Sequence, residues 1–434
     1  MTKAYEEAKV IIKEHVHANA DDVLIFCGSG MTAAVNKLQR LLGIRTAERG
    51  MEYTLDGKSP EIDETLRPVV FVTCMEHHSN HVSWLETIAT VEIIGQTEDG
   101  YVDLEQFETL LLKYKSRKNK IAAITACSNV TGIQTPYYEI AKLIHAYDGL
   151  CFVDFASSAP YVHIDIHPFE TSACLDAIYF SMHKFLGGPG TPGVLIFNRK
   201  IYNNEVPDHP GGGTILYSNP WKAREYVTDI ESREDGGTPP VLQGIKAAMC
   251  IRLKEEMGVN NILHREEELL KIAFTRFSEM SNVTVLQCNV KKRLGIISFI
   301  VEGAHYNLIV RLLNDKFGIQ TRGGCSCAGT YGHQLLHVDQ AWSHKIGSAI
   351  RSGDLSSKPG WIRVSIHPTI TDQEIKFIMD AIESTASNFR EWMTDYHYDA
   401  SSNEYVIKDG MAREKHCVED WFKFGYQVSI REVR

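Results

Sequence analysis

Leu175-Asp176-Ala177-Ile178-Tyr179-Phe180-Ser181-Met182-His183-Lys184-Phe185-Leu186-Gly187-Gly188-Pro189-Gly190 is the stretch on which the fold turns. An apolar run ends in a lysine, and glycines follow. A lysine at the end of a buried strand is easily desolvated, so its pKa falls and it can form a Schiff base and then act as a base. The glycines let backbone approach a bulky planar ligand. By itself Lys184 could be an ordinary cation at a strand end. A second apolar run upstream, Cys151-Phe152-Val153-Asp154, ends in an acid. An Asp and a Lys closing successive strands suit pyridoxal phosphate: the acid keeps the pyridine nitrogen protonated and the lysine carries the aldehyde.

Outward from this pair the pattern repeats. Apolar runs at 23–27, 69–73, 91–94, 121–125, 150–153, 177–180 and 193–197 alternate with amphipathic segments such as 104–114 and 138–147. Continuous apolar strands separated by helices predict an α/β fold with a mostly parallel sheet covered on both faces. Ligands on such sheets bind beyond the carboxyl ends of the strands. Residues 201–240, rich in Gly and Pro, predict long ordered loops, and 245–280 reads as helix. Short strands at 283–286, 295–301 and 361–366, with helices at 306–317 and 372–386, predict a second, α+β unit. The expected division is a large domain over 1–260, a small domain over 261–390, and a C-terminal extension over 391–434 without clear periodicity.

A chain of 434 residues is long for one core, which fits two domains. A hydrophobic content of 44% and a charged content of 23% are those of a soluble globular protein. A net charge of −10 argues against nucleic acid as a partner. The start, Met1-Thr2-Lys3-Ala4-Tyr5-Glu6-Glu7, carries no apolar signal region, and no run is long enough to span a membrane. The cysteines follow no regular framework, so reduced thiols in a cytoplasmic setting are expected.

Five further motifs follow strand ends or occupy the second unit. Gly28-Ser29-Gly30-Met31-Thr32-Ala33 matches a dinucleotide fingerprint, with Glu48 downstream as its acid. It also reads as a phosphate cradle at a helix start, or as a plain tight turn. Met75-Glu76-His77-His78-Ser79-Asn80-His81 could bind metal, stack an imidazole on a ring, or cap a helix. Ser128-Asn129-Val130-Thr131-Gly132 could set an amide against a ring hydroxyl, or form an Asn turn. Thr321-Arg322-Gly323-Gly324-Cys325-Ser326-Cys327-Ala328-Gly329 offers a thiol with Arg322 as its cation. Alternatives there are a zinc site with His333 and His337, a strained Cys325–Cys327 disulfide, or two inert thiols. Trp361-Ile362-Arg363-Val364-Ser365-Ile366 puts an arginine in an apolar strand, suited to a substrate carboxylate or to an internal acid.

Together these residues resemble the class V aminotransferase-like pyridoxal phosphate enzymes, closest to the SUF-type cysteine desulfurases and selenocysteine lyases. Glu76-His77-His78-Ser79-Asn80, Ser181-x-His183-Lys184 and Arg363-x-Ser365 carry the resemblance, which covers roughly residues 4–390. It implies fold type I, a homodimer, pyridoxal 5'-phosphate on Lys184, Asp154 at the pyridine nitrogen and His77 stacked on the ring. It also implies Asn129 and Ser157 near the ring oxygen. Gly30, Met31, Thr32, Ser181 and His183 would hold the phosphate, joined by Thr238 of a second subunit. Arg363, with Arg322, would bind the substrate carboxylate, and no metal is expected. Cys327, aligned by its Cys-Ala pair, matches the persulfide cysteine better than Cys325, and an acceptor protein would take the sulfur. Ser157 stands where the desulfurases usually have glutamine, and the path from the cysteine loop to Arg363 is longer than usual. The family's N-terminal closing segment is expected to be missing. Other reactions on this fold (a C–S lyase, an epimerase or an aminotransferase) and a non-catalytic sulfur-carrier role are the alternatives.

Overall fold

Seven apolar runs form one sheet because both of its faces are covered. The computed structural model describes residues 1–45, 62–408 and 421–422. After helix α1 (Thr2–His15) come β1 (Asp22–Cys27), α2 (Gly30–Leu41), β2 (Val69–Thr73), α3 (His78–Leu85), β3 (Thr90–Ile94), α4 (Leu104–Lys113), β4 (Lys120–Thr125), α5 (Tyr137–His145), β5 (Leu150–Asp154), β6 (Ala177–Ser181) and β7 (Gly193–Asn198). The strand order is β1-β7-β6-β5-β4-β2-β3. From β3 to β6 neighbours are parallel, whereas β7 runs antiparallel to both β6 and β1.

Side chains alternate between two layers, as the two-residue period of a strand requires. Leu24, Phe26, Phe71, Ile124, Val153 and Ile178 enter one core, with Ile12 of α1, Phe107 of α4 and Ile140 of α5. Ile25, Val70, Val72, Ala123, Phe152 and Tyr179 enter the other, with Val35 and Leu38 of α2 and Trp84 of α3. With both faces filled, each strand shows an unbroken apolar run rather than an alternating one. The carboxyl ends of β1, β2, β4, β5 and β6 therefore open on one edge of the sheet.

A hairpin of β8 (Ile215–Ser218) and β9 (Arg224–Tyr226) and the short α6 (Ile230–Glu234) occupy the stretch expected to be loops. Helices α7 (Val241–Met257) and α8 (Val259–Glu279) abut at Gly258, whose φ of 77° breaks the helical run. A four-stranded antiparallel sheet follows, in the order β10 (Val283–Val285), β11 (Ile296–Val301), β13 (Trp361–Ser365), β12 (Arg322–Gly324). Helices α9 (Tyr306–Phe317) and α12 (Asp372–Trp392) pack with it around a separate core that includes Leu269, Phe299, Leu312, Ile362 and Ile382. Between β12 and β13 run α10 (Gly329–Leu335) and α11 (Gln340–Arg351), and after α12 comes a hairpin of β14 (Tyr396–Asp399) and β15 (Glu404–Ile407). The boundary expected after residue 260 lies inside α8, and the one after 390 lies in the last turn of α12. Glu48, and the extension apart from residues 391–408 and 421–422, lie outside the described residues.

Candidate active site

The strand ends converge on a cavity of about 240 Å³. Lys184 reaches it from the single 3-10 turn that follows β6, and Asp154 from the last residue of β5. The sequence pair that opens the reading thus shares one cavity. Burial pulls the Lys184 ammonium below its usual range, and Arg363 and Arg322 add to this while Asp154 opposes it. Asp154 is 2% exposed; burial pushes its carboxyl up to about 6 against the pull of the Ala156 N–H and Lys184. The Ala156 N–H donates to it at 2.8 Å.

The start of α2 lines the opposite wall through Ser29, Gly30, Met31 and Thr32. Gly30 has φ 71°, and a Cβ there would lie 2.6 Å from His183 Cε1 and 2.9 Å from Ser181 Oγ. Only glycine fits, and the space it leaves is a cradle. The Met31 N–H donates to Ser181 Oγ at 2.8 Å, and Ser29 supplies no side-chain cap to the helix. Thr32 Oγ1 shares a hydrogen bond of 2.7 Å with Ser79 Oγ. Such a helix start suits an anion.

His77 caps α3: its Nδ1 accepts the Ser79 N–H at 3.1 Å, so the ring proton sits on Nε2. Burial, with Lys184 next, pushes His77 down to about 4, so the ring is neutral near pH 7. Below it, Glu76 is 2% exposed and accepts from the Thr73 N–H, Thr73 Oγ1, the Thr125 N–H and Asn80 Nδ2. Burial pushes its carboxyl up to about 8, and these donors pull it back. Asn80 in turn accepts from Tyr179 and Trp84, so one network joins β2, α3, β4 and β6 under the cavity floor. The sequence signal for this role is the acid itself, placed between an apolar strand and a helix start with Asn80 one turn on.

The cysteine loop crosses from the second sheet and docks on α3. The His78 N–H donates to the Cys327 carbonyl at 2.7 Å, and the Gly329 N–H donates to His78 Nε2 at 2.9 Å. His81 Nδ1 pairs with Thr330 Oγ1 at 3.2 Å. Two of the three histidines therefore hold this loop, a role their spacing did not reveal. Ser326 and Cys327 are both left-handed, with φ 50° and 59°, a strained pair for residues that carry a Cβ. Arg322 Nη2 donates to Cys327 Sγ at 3.1 Å, whereas Cys325 Sγ donates to the Pro359 carbonyl at 2.9 Å. The two thiols are unbridged, and burial raises that of Cys325. His333 is engaged by the Gly329 carbonyl and Ser343, and among the described residues no cluster of three His, Cys, Asp or Glu is placed to hold a metal.

Arg363 also lines the cavity. It donates one bond, to the Asn129 carbonyl at 2.9 Å, and its buried Nε has no partner. No acid pairs with it among the described residues, so the internal-acid reading finds no support there. Asn129 Nδ2 is given to the Ser326 carbonyl at 2.7 Å, and its buried Oδ1 is unpaired. Ser157 Oγ donates to the Cys127 carbonyl. Thr238 alone of the expected cofactor ligands lies elsewhere in this chain, in an open cleft of about 900 Å³ with Lys37, Arg40 and Glu234. A glycine cradle, a buried acid facing a desolvated lysine, a neutral imidazole and an unpaired guanidinium N–H fit a phosphorylated pyridine aldehyde and an amino-acid carboxylate.

The class V aminotransferase family matches residues 63–378, and the chain belongs to it. Over 335 residues it is 31% identical to a probable cysteine desulfurase of Halalkalibacterium halodurans, covering 75% of this chain and 74% of that protein. A probable cysteine desulfurase of Staphylococcus aureus is 28% identical over 331 residues, 75% of this chain and 73% of that one. The solved cysteine desulfurase of Thermococcus onnurineus superposes with a TM-score of 0.70 at 23% identity, over 89% of this chain and 84% of that one. CsdA of Escherichia coli, a cysteine desulfurase, gives 0.69 at 19% identity with the same coverage. At these identities the two structures speak for the fold. No helix among the described residues is long and apolar enough to cross a membrane.

Proposed function

We propose that this chain is a pyridoxal phosphate-dependent cysteine desulfurase that moves the sulfur of cysteine onto Cys327 and releases alanine. The observation that carries the reading is the Arg322–Cys327 contact of 3.1 Å, because Arg322 also lines the cavity of Lys184 and Asp154. Bound pyridoxal phosphate supplies an aldehyde for the lysine and an electron sink for the substrate's α-carbon. Gly30, Met31, Thr32, Ser181 and His183 would hold its phosphate, with Thr238 reaching in from a second subunit of a homodimer. His77 would lie against the ring, Asp154 would keep a proton on the pyridine nitrogen, and Asn129 and Ser157 would lie near the ring oxygen.

Lys184 Nζ, desolvated by burial, moves the proton at the substrate α-carbon. Arg363 fixes the substrate carboxylate with the guanidinium edge that now lacks a partner. Arg322 holds Cys327 Sγ through a hydrogen bond of 3.1 Å. Cys327, reacting as its thiolate, attacks the substrate sulfur, and the carbon–sulfur bond breaks. The carbon gains a proton and leaves as alanine, while the sulfur stays on Cys327 as a persulfide for an acceptor protein to take. The described cysteines are all unbridged, in keeping with a reducing, cytoplasmic setting.

The test is a visible spectrum of the protein supplied with pyridoxal phosphate, followed by cysteine. An absorbance band absent from Lys184→Ala, with sulfide release under reductant that stops in Cys327→Ser while the band persists, is expected. A colourless wild-type protein overturns the cofactor assignment. A Cys327→Ser protein that still releases sulfide moves the reading to a C–S lyase.

A further inference from the structure

The C-terminal hairpin meets the arms that carry the two arginines. Asn403, 8% exposed and left-handed at φ 60°, is the pivot. Its Nδ2 donates to the Tyr306 hydroxyl at 2.7 Å, and its Oδ1 accepts the Tyr398 hydroxyl at 2.9 Å. Its carbonyl accepts from Asn307 Nδ2 at 2.5 Å. Tyr306 is thereby held at its far end, while His305 stacks on its face with ring centres 4.4 Å apart.

What Tyr306 does with that fixed position is read from the glycines around it. A Cβ on Gly323 would come within 2.9 Å of the Tyr306 ring, and one on Gly360 within 2.7 Å. Gly323 follows Arg322 on β12, and Gly360 precedes β13, which carries Arg363. The ring is therefore pressed onto both arms where they approach each other: a Cβ on Gly360 would also lie 2.6 Å from Gly324 Cα. A second tie runs parallel. The Leu355 N–H donates to the Ala400 carbonyl of the hairpin turn at 3.0 Å, and the same loop ends at Pro359, whose carbonyl holds Cys325. Two contacts thus lead from the hairpin to the segments that bear Arg322, Arg363 and the cysteine loop.

We propose that Asn403 is a positioning residue: through Tyr306 it sets the spacing of Arg322 and Arg363, and with it the grip on the substrate carboxylate and the Cys327 thiol. The inference rests on the desulfurase reading for its substrate. Its variants are Asn403→Gly, which keeps the left-handed backbone but loses the amide, and Asn403→Asp, whose carboxylate can accept from both tyrosines. With the protein loaded with pyridoxal phosphate, Asn403→Gly is expected to raise KM for cysteine about five- to tenfold, the size of one lost hydrogen bond. Alkylation of Cys327 by iodoacetamide at neutral pH slows by a similar factor. The absorbance band of the cofactor stays as in wild type, and Asn403→Asp restores most of both losses. Unchanged KM and alkylation in Asn403→Gly overturn the proposal, as does loss of the band along with them, which marks a general folding role. Should the wild type release no sulfide, the desulfurase reading fails, whereas the alkylation comparison still decides whether Asn403 acts on Cys327.

Discussion

Lys184 and Asp154 face each other across low-dielectric space, and each shifts toward neutrality because burial penalises its charge. The Asp154 carboxyl is raised in the fold from 3.8 to about 6. Its contribution to stability is full below pH 3.8 and is lost as pH rises through 6. Cofactor-free Asp154→Asn is therefore expected to be more stable than wild type at pH 8, by about 1–3 kcal/mol in urea denaturation, and to lose turnover. Equal stability at pH 8 would mean that the acid is not desolvated as its burial implies. Arg363→Lys keeps charge but loses the planar fork; KM for cysteine should rise by roughly tenfold or more, with the cofactor band unchanged. At this scale the sequence was legible where a residue closes a strand, as Asp154 does, or follows one by a single turn, as Lys184 does although its motif predicts a strand end. It was not legible for Glu76, His78 and His81, whose partners lie on β4 and on the cysteine loop, distant in sequence. Cys327, preferred to Cys325 for its Cys-Ala pair, is the thiol that Arg322 reaches, whereas Cys325 donates to the Pro359 carbonyl.

Elements built from buried alternation were read to within a residue or two, because two filled faces leave an unbroken apolar run. Several of those that were missed bury little, although α10 buries Tyr331. On α11 only Ile346 is buried, and β8 exposes Leu216 and Tyr217. Hairpin β14–β15 adds hydrogen bonds from Asn403 to the packing of Tyr396 and Tyr405, and periodicity does not report such bonds. The floor network and the cradle give the predictions at this scale. Glu76→Ala leaves the buried donors of Thr73, Thr125 and Asn80 without their acceptor, so at pH 7 it should cost roughly 2–4 kcal/mol of unfolding free energy. Gly30→Ala puts a methyl against His183 and Ser181 at an unfavourable φ, so cofactor affinity measured by fluorescence titration should fall at least about tenfold. Unchanged affinity would remove the phosphate from that cradle.

Across the whole molecule, the strand ends of one sheet and the β12–β13 arms of the other meet over a single cavity, so Lys184 and Asp154 on one side and Arg322 and Arg363 on the other come from different parts of the chain. Thr238 lies in its own cleft away from Lys184, and the proposed homodimer would bring it to the site of a second copy. Mixing Lys184→Ala with Thr238→Ala protein under subunit exchange should regain part of the lost activity, because one composite site then has both residues intact. No regain would count against the homodimer. The central claim is sulfur on Cys327, and peptide mass spectrometry after one turnover with cysteine tests it most directly. The account predicts one added sulfur atom on the peptide bearing Cys327, removed by reductant and missing in Lys184→Ala. Alanine formed with no sulfur on that peptide, or with the sulfur on Cys325 instead, would contradict it.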